Sequence, residues 1–173
     1  DDANVNALLK QMITVSSTEA ANGLLSRIGN GDDKAAIATV TATAQRYGFT
    51  SSEELRTLTG MASGNAVENW TSTRDCGSFL SQVYAGTLVS KNASERMMQL
   101  LLGQTRRTKI PAGVPSGVKV ANKTGELAAV QNDVAIVFGT HPYVLAVMSN
   151  DISSAVAPSQ ITELSRAVWD AAQ

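Results

Sequence analysis

The triplet Lys123–Gly125, Lys-Thr-Gly, ends an apolar, β-branched run that begins at Val118. Side chains alternate along a strand, so Lys123 and Gly125 address one face of a sheet and Thr124 the other. An ammonium there can bind a carboxylate or assist proton transfer, and the glycine leaves bare backbone for an extended substrate. The N–H of Glu126 could then act as an oxyanion donor. A solvated lysine before a turn is the alternative, because a given tripeptide arises by chance in roughly one such chain in fifty.

Histidine and cysteine chemistry has little support in this sequence. His141, the only histidine, lies in "GTHPYV" between two strand-like segments, which is typical of a turn residue. Cys76, the only cysteine, falls on the apolar side of a predicted helix, where a buried structural thiol is expected. A single cysteine excludes an intrachain disulfide and a cysteine metal cluster. Catalysis is therefore expected to use a base other than histidine, with no metal and no cofactor.

Composition and charge argue against two classes of partner. The 173 residues are 43% hydrophobic and 17% charged, with a net charge of −1. Neither a basic surface for nucleic acid nor a polybasic membrane patch is implied. The longest apolar runs, such as Val134–Phe138, suit buried strands and are too short to span a bilayer. The opening Asp-Asp-Ala-Asn lacks the pattern of a signal peptide, and we expect the chain to begin within a larger protein.

Helical patterns occupy the first part of the chain and strand patterns the second. Apolar spacing, caps and glycine stops predict helices over residues 3–14, Ser16–Gly29, Asp32–Gly48, a short segment from Ser51 with Glu54 in a capping box, Thr73–Gly86 and residues 93–104. Residues 60–72 are expected to form a loop and "TKIPAGVPSG" a connector. Short β-branched segments then predict strands at 118–124, 133–139 and 143–150, and Pro158 opens a last helix.

This order of elements predicts an α+β fold, in which a helical part is followed by a three-stranded antiparallel sheet and a C-terminal helix. We expect one partial domain over residues 1–173, with the helical part at 1–110 and the sheet part at 111–173. Such a sheet is small and leaves its outer strands as open edges. The exposed apolar surface is therefore expected to be covered by a missing N-terminal segment or by self-association through strand edges.

The order and spacing of two motifs resemble a known family. Ser16-Ser17-Thr18 lies in a loop between two predicted helices, and Lys-Thr-Gly follows downstream on a predicted strand. This arrangement is similar to that of class A β-lactamases and penicillin-binding serine hydrolases of the D,D-peptidase type, whose motifs are S-x-x-K, S-D-N and K-T-G. The resemblance covers the whole chain and roughly the later two-thirds of the family's domain, whose full sheet has five strands.

The resemblance implies roles for the first motif. Ser16 corresponds to the serine of S-D-N, which relays a proton toward the leaving nitrogen, and a hydroxyl suits this because it can donate and accept at once. An N-cap is the other role open to Ser16, and both can hold. Ser17 and Thr18 stand where the family has Asp and Asn, so Thr18 could give a substrate only a short hydroxyl contact.

The second motif carries over in the same way. The resemblance implies that Lys123 and Thr124 hold the substrate carboxylate and support Ser16, with Lys123 as a catalytic residue. Gly125 corresponds to the glycine that lets the substrate approach closely. The N–H of Glu126 corresponds to an oxyanion donor, which places Thr124, Gly125 and Glu126 among the expected substrate-binding residues.

The nucleophile has no good candidate in the sequence. S-x-x-K needs a helix N-terminus, where one turn brings serine and lysine to one face. Its only literal match, Ser116 to Lys119, lies between a Pro-Gly loop and a strand, so the two side chains would point to opposite faces. In the family the motif precedes S-D-N, so we expect the serine before Asp1 and this chain alone to be inactive.

The glutamate that activates the deacylating water in β-lactamases of this class also has no match by spacing. Glu53 and Glu54 fall in the predicted capping box, Glu68 lies just before the next helix, and none has the family's spacing from an asparagine that would fix the loop. The resemblance therefore favours a D,D-peptidase-like protein over an efficient β-lactamase, acting outside the cytoplasmic membrane on β-lactams or peptidoglycan stem peptides. A non-catalytic relative that binds peptidoglycan or a protein partner, and an unrelated α+β domain, are the alternatives.

Overall fold

The computed structural model describes residues 2–58 and 68–173. Its internal contacts group the chain into two compact units, Asp1–Asp75 and Cys76–Gln173. The division at residue 110 into a helical and a sheet part stays a prediction.

Residues 2–58 of the first unit contain three of the predicted helices. They are α1 (Ala3–Thr14), α2 (Thr18–Ile28) and α3 (Asp33–Arg46). Each begins at a side-chain cap, because Asp2, Ser17 and Asp32 accept hydrogen bonds from the first-turn N–H groups. The buried apolar residues of this unit are Ala20, Leu25, Ala36 and Phe49.

The predicted short helix from Ser51 is wrong. The N–H of Ser51 and the hydroxyl of Ser52 both donate to Asp75 Oδ2, each at 2.8 Å. Glu53 pairs with Trp70 in an isolated antiparallel bridge. Contacts with residues about twenty positions away therefore hold this segment in a non-helical conformation, and the local capping pattern is not used. Of the predicted loop at 60–72, residues 60–67 lie outside the described residues.

The second unit contains the sheet. Helix α4 (Thr73–Ala85) ends in it, and α5 (Lys91–Leu102) and a short 3-10 turn (Ile110–Gly113) precede three strands. These are β1 (Lys119–Leu127), β2 (Val130–Phe138) and β3 (Tyr143–Val147), antiparallel in the order β1-β2-β3, and α6 (Ala157–Ala172) follows. The predicted α+β class, with helices followed by a three-stranded antiparallel sheet and a C-terminal helix, is confirmed.

One face of the sheet packs on α6. Val120, Ala135 and Val137 form a buried cluster with Ile110 and with Ile161 of α6. Side chains alternate along β1, so Asn122, Thr124 and Glu126 share this face, and Ala121, Lys123 and Gly125 lie on the other. The term "α6 face" refers to the first of these two faces throughout.

The only histidine and the only cysteine of the sequence both lie among the described residues. His141 lies in the turn between β2 and β3, where its N–H and C=O both bond to the side chain of Gln173. Cys76 is half-buried on α4. Across residues 2–58 and 68–173, no helix is both long enough and apolar enough to cross a membrane.

Candidate active site

Ser16 occupies a strained turn between α1 and α2. Its φ is 58°, in the left-handed region. That conformation costs a residue with a Cβ about 1–3 kcal/mol, and such residues cluster at functional sites. The N–H groups of Val15 and Ser17 hold the turn, since both donate to Gln11 O, at 3.3 and 3.2 Å. Ser16 itself is half-buried.

Ser17, and not Ser16, caps helix α2. Its hydroxyl oxygen accepts the N–H of Ala20 at 3.1 Å and its hydroxyl donates to Glu19 Oε2 at 3.0 Å. The expectation that Ser16 could serve as an N-cap is therefore wrong. Thr18 is the first residue of α2 and is half-buried. The family's Asp position is thus used here for a helix cap.

Strand β1 carries Lys-Thr-Gly in its second half and continues through Glu126 to Leu127. The alternative of a lysine before a turn is therefore wrong. Lys123 and Gly125 share one face and Thr124 lies on the other, as the alternation predicted. A Cβ added at Gly125 would lie 3.6 Å from the nearest side-chain atom, which is an ordinary contact. Packing within the sheet therefore does not require this glycine, and close approach of a ligand remains a reason for it.

Lys123 is half-buried, and its Nζ donates to the carbonyl oxygen of Thr124 at 2.6 Å. Burial lowers the pKa of the Lys123 ammonium below its ordinary 10.5. The negative charges of Glu126 and Asp133 oppose this shift, whereas the positive charges of Arg106 and Lys109 add to it. A partly desolvated ammonium attracts a carboxylate more strongly than a solvated one and gives up a proton more readily.

Glu126 lies between two cations. Its Oε1 accepts from Lys109 Nζ at 2.8 Å and its Oε2 from Arg106 Nη1 at 2.9 Å. Burial acts to raise the pKa of Glu126, but the hydrogen bond and charge of Lys109 hold it below its usual value, and the charge of Arg106 adds to this lowering. The Lys109 side chain is only 2% exposed, whereas that of Glu126 is 25% exposed. The pair is therefore mostly withdrawn from water.

A second buried acid lies opposite Thr124. Asp133 pairs with Thr124 in the register of β1 and β2 and has no exposed surface. Its oxygens accept from Asn122 Nδ2 and from the N–H of Ile110, both at 3.0 Å. Burial nevertheless raises the pKa of Asp133 to about 6, against the lowering effects of these hydrogen bonds and of Lys109. Asn122 in turn accepts from Arg107 Nη1 at 2.9 Å.

In the first unit, Asn69 fixes the segment that carries Glu54. Asn69 Oδ1 accepts the N–H groups of Leu55 and Arg56 at 2.8 and 3.0 Å, and its Nδ2 donates to Arg56 O at 3.1 Å. Arg56 also bonds Glu68 at 2.6 Å. Burial raises the pKa of Glu54 above its usual value, while the charge of Arg56 and a hydrogen bond from Asn69 oppose the shift. Glu54 is thus a half-buried carboxyl on an anchored segment.

The predicted site residues fall into two groups. Ser16 and Thr18 lie at the α1–α2 connection of the first unit, and the structure brings Lys123, Thr124, Gly125 and Glu126 together on β1 of the second. Their catalytic and binding roles remain predictions. Ser116 and Lys119 are both exposed, and Ser116 lies in a turn rather than on a helix, in line with the rejection of that S-x-x-K match. No cluster of three or more metal-ligand side chains occurs within the described ranges.

Three residues near these groups were not predicted from the sequence. Lys109 lies in the Pro-Gly connector, where a solvated lysine is the default interpretation. Asp133 carries a usable signal, because an acid that alternates with Ala135 and Val137 in a strand must share their buried face. Asn69 gave no local signal, because its partners lie 13 or 14 residues earlier in the chain.

Comparisons with known proteins agree on one fold. The crystal structure of a beta-lactamase from Sphaerobacter thermophilus superposes with a TM-score of 0.87 at 23% identity, covering 96% of this chain and 62% of that one. The structure of PBP-A superposes with a TM-score of 0.84 at 25% identity, covering 96% of this chain and 60% of that one. A mutant of PBP-A, solved as an acyl-enzyme complex with penicillin G, gives 0.84 at 24% identity, with coverages of 96% and 61%.

The present chain thus spans about three-fifths of the length of these proteins. No curated protein sequence matches it. The family model described as the beta-lactamase enzyme family matches residues 2–172, which is nearly the whole chain. The chain therefore belongs to the beta-lactamase enzyme family, as the resemblance to class A β-lactamases and penicillin-binding serine hydrolases predicted.

Proposed function

We propose that the protein containing this chain is a penicillin-recognising serine hydrolase. It acylates a serine with a β-lactam or with a D-Ala-D-Ala-like peptide and then releases the acyl group to water. The observation that carries the proposal is the partly buried Lys123 in the second half of β1, with Gly125 two residues further on the same face. This combination supplies a cation for a substrate carboxylate beside backbone that a substrate strand can approach.

The other residues take the following roles in the proposal. Ser16 relays a proton to the leaving nitrogen, and Lys123 supports it electrostatically and binds the carboxylate together with Thr124. The N–H of Glu126 donates to the oxyanion of the tetrahedral intermediate, where a preorganised donor is worth about 10²–10³-fold in rate. Thr18 offers the substrate a hydroxyl. The proposal assigns the nucleophilic serine and its lysine base to no residue of this chain.

Slow release of the acyl group is part of the proposal, so the protein is D,D-peptidase-like. PBP-A, whose mutant was captured as an acyl-enzyme complex with penicillin G, shares this fold. The natural substrate is then a peptidoglycan stem peptide, and the protein works outside the cytoplasmic membrane where that polymer lies. A β-lactam binds as an analogue of the peptide.

Efficient β-lactamase activity is the second candidate, and Glu54 favours it. This half-buried carboxyl has a raised pKa and lies on a segment that Asn69 holds in place. A carboxyl with these properties can act as a general base toward water if its pKa approaches the working pH. On this account Glu54 would activate the water that deacylates the enzyme.

Two substrates distinguish these functions when both are given to the longest natural form of the protein. Release of D-alanine from a diacetyl-Lys-D-Ala-D-Ala peptide, with negligible turnover of a chromogenic cephalosporin, is the expected result. Fast cephalosporin turnover that is lost in Glu54→Gln and kept in Glu53→Gln would establish the β-lactamase instead. If neither substrate reacts, the proposal fails in favour of a non-catalytic relative that binds peptidoglycan or a protein partner.

A further inference from the structure

The ammonium of Lys109 lies beneath the end of the Lys-Thr-Gly strand, enclosed by oxygen atoms. We propose that Lys109 is a positioning residue for acyl transfer: it ties β1 to β2 beside Gly125 and thereby fixes the backbone that carries the Glu126 N–H. The inference rests on the proposed function, because it takes that N–H as the oxyanion donor. It assigns a role to a residue outside the family's three motifs.

The contacts of Lys109 match the donor capacity of an ammonium. Its Nζ donates to Glu126 Oε1 at 2.8 Å, to Asn132 O at 3.0 Å and to Gly125 O at 3.5 Å. An ammonium has three N–H donors, and three oxygens surround this one. Because the side chain is only 2% exposed, these oxygens take the place of water around the charge.

Two of the three oxygens are the backbone carbonyls of residues that pair across the sheet. Gly125 and Asn132 are partners in the register of β1 and β2. One buried cation therefore joins both strands at the position immediately before Glu126. The same cation, with Arg106, also holds the Glu126 carboxylate. Backbone and side chain are thus fixed together at the residue whose N–H must be aimed within about 0.5 Å to serve as a preorganised donor.

The backbone of Lys109 is held by hydrogen bonds from the 3-10 turn and from α6. Its carbonyl oxygen accepts the N–H of Ala112 at 3.0 Å and the hydroxyl of Thr162, on α6, at 3.2 Å. Its carboxylate partner Glu126 lies on the α6 face, opposite Lys123 and Gly125. Lys109 therefore acts on the site through the strand and does not touch a substrate.

The test compares three variants of the longest natural form of the protein. Lys109→Met keeps the aliphatic stem and removes the charge, and we expect the acylation rate constant for a fluorescent penicillin to fall at least about tenfold with little change in its initial binding constant. Lys109→Arg keeps the charge, and we expect it to recover most of the rate. Lys119→Met, at the exposed first residue of β1, is the matched control and should react like the wild type.

A second readout does not depend on acylation. Amide ¹⁵N relaxation should give order parameters near about 0.85 at Glu126 in the wild type and below about 0.6 in Lys109→Met, with Ile136 on β2 unchanged. A folded Lys109→Met protein with wild-type acylation and wild-type order at Glu126 overturns the inference. If the wild type itself is not acylated, the proposed function fails, and the order parameters alone decide the role of Lys109.

A double variant covers the case in which Lys109→Met does not fold. Lys109→Met with Glu126→Gln removes both charges of the pair, which proteins tolerate better than one unpaired charge. The double variant has no ammonium to bond the carbonyl oxygens of Gly125 and Asn132. We therefore expect slow acylation and a mobile backbone amide at position 126. Recovery of the wild-type rate and order in the double variant would show that Lys109 only balances the charge of Glu126, and would overturn the inference.

Discussion

Asn122 donates from Nδ2 to Asp133 Oδ1 at 3.0 Å across the β1–β2 pair, and neither side chain has exposed surface. The N–H of Ile110 donates to the other carboxylate oxygen of Asp133. Even so, burial outweighs these bonds and raises the pKa of Asp133 to about 6 from 3.8. The sheet behind Lys123 therefore contains an acid whose charge the fold disfavours.

This raised pKa predicts the pH dependence of stability. Between pH 3.8 and about 6 the folded protein keeps the Asp133 proton that the unfolded chain has lost. The free energy of unfolding should therefore fall as the pH rises through this window, by up to about 3 kcal/mol. Asp133→Asn cannot titrate at this position. Its free energy of unfolding should therefore lie further below that of the wild type at pH 4 than at pH 7.

Denaturant unfolding at both pH values measures this difference. Asp170→Asn, an exposed change on α6, is the control and should stay within about 0.5 kcal/mol of the wild type at either pH. If the free energy of unfolding changed with pH in the same way for the wild type and Asp133→Asn, the raised pKa of Asp133 would be contradicted.

Lys123 should be required for acylation and not for folding. Replacing it with Ala removes the cation from the face that the proposed substrate approaches, and we expect the acylation rate constant to fall by at least about 100-fold. The thermal midpoint should change little, because Lys123 is half-buried and burial disfavours its charge. Lys119→Ala on the same strand is the control. A rate within about threefold of the wild type for Lys123→Ala would remove Lys123 from the mechanism.

Ser16 and Ser17 should separate activity from stability. Ser16→Gly removes the proposed proton relay but suits the left-handed φ of 58°, so it should slow acylation without lowering stability. Ser17→Ala removes the cap of α2 and should cost about 1 kcal/mol with little effect on acylation. Acylation kinetics and chemical denaturation of both variants test this pattern, and the opposite pattern would assign the relay to Ser17.

Asn69 should hold the Glu54 segment in place. Asn69→Ala removes hydrogen bonds to the N–H groups of Leu55 and Arg56 and to Arg56 O. We expect the free energy of unfolding to fall by about 2–3 kcal/mol, because the two bonds to Arg56 are partly buried and their backbone groups lose their partner. Asn92→Ala, at an exposed position on α5, should change the free energy of unfolding by less than about 0.5 kcal/mol. Equal stability of the two variants would contradict this role.

Elements fixed by local patterns were predictable from the sequence. The apolar spacing predicted α1 at Ala3–Thr14, and β-branched runs predicted the presence of all three strands. The start of β2 was predicted at residue 133 but lies at Val130, because the polar Gln131 and Asn132 are paired with β1 and bond Ser149. Polar residues in a strand are recognisable only once their partners are known.

Residues positioned by distant partners could not be predicted. The Ser51–Glu54 pattern satisfies every local requirement for a helix start, yet Asp75 binds the N–H of Ser51 and the hydroxyl of Ser52. From the sequence alone, Lys109 is expected to be an exposed lysine. Only the structure shows that its ammonium donates to the carbonyl oxygens of Gly125 and Asn132. The Lys-Thr-Gly triplet was recognisable because its chemistry depends on residues adjacent in sequence on one strand.

The most direct test of the central claim is the intact mass of the longest natural form of the protein after incubation with benzylpenicillin. We expect a lasting mass increase equal to one penicillin, absent when Lys123 is replaced by Ala. Unmodified protein with intact drug would contradict the assignment as a penicillin-recognising serine hydrolase. Unmodified protein with hydrolysed drug would support hydrolase activity but contradict slow release of the acyl group. It would favour Glu54 as the base that activates the deacylating water.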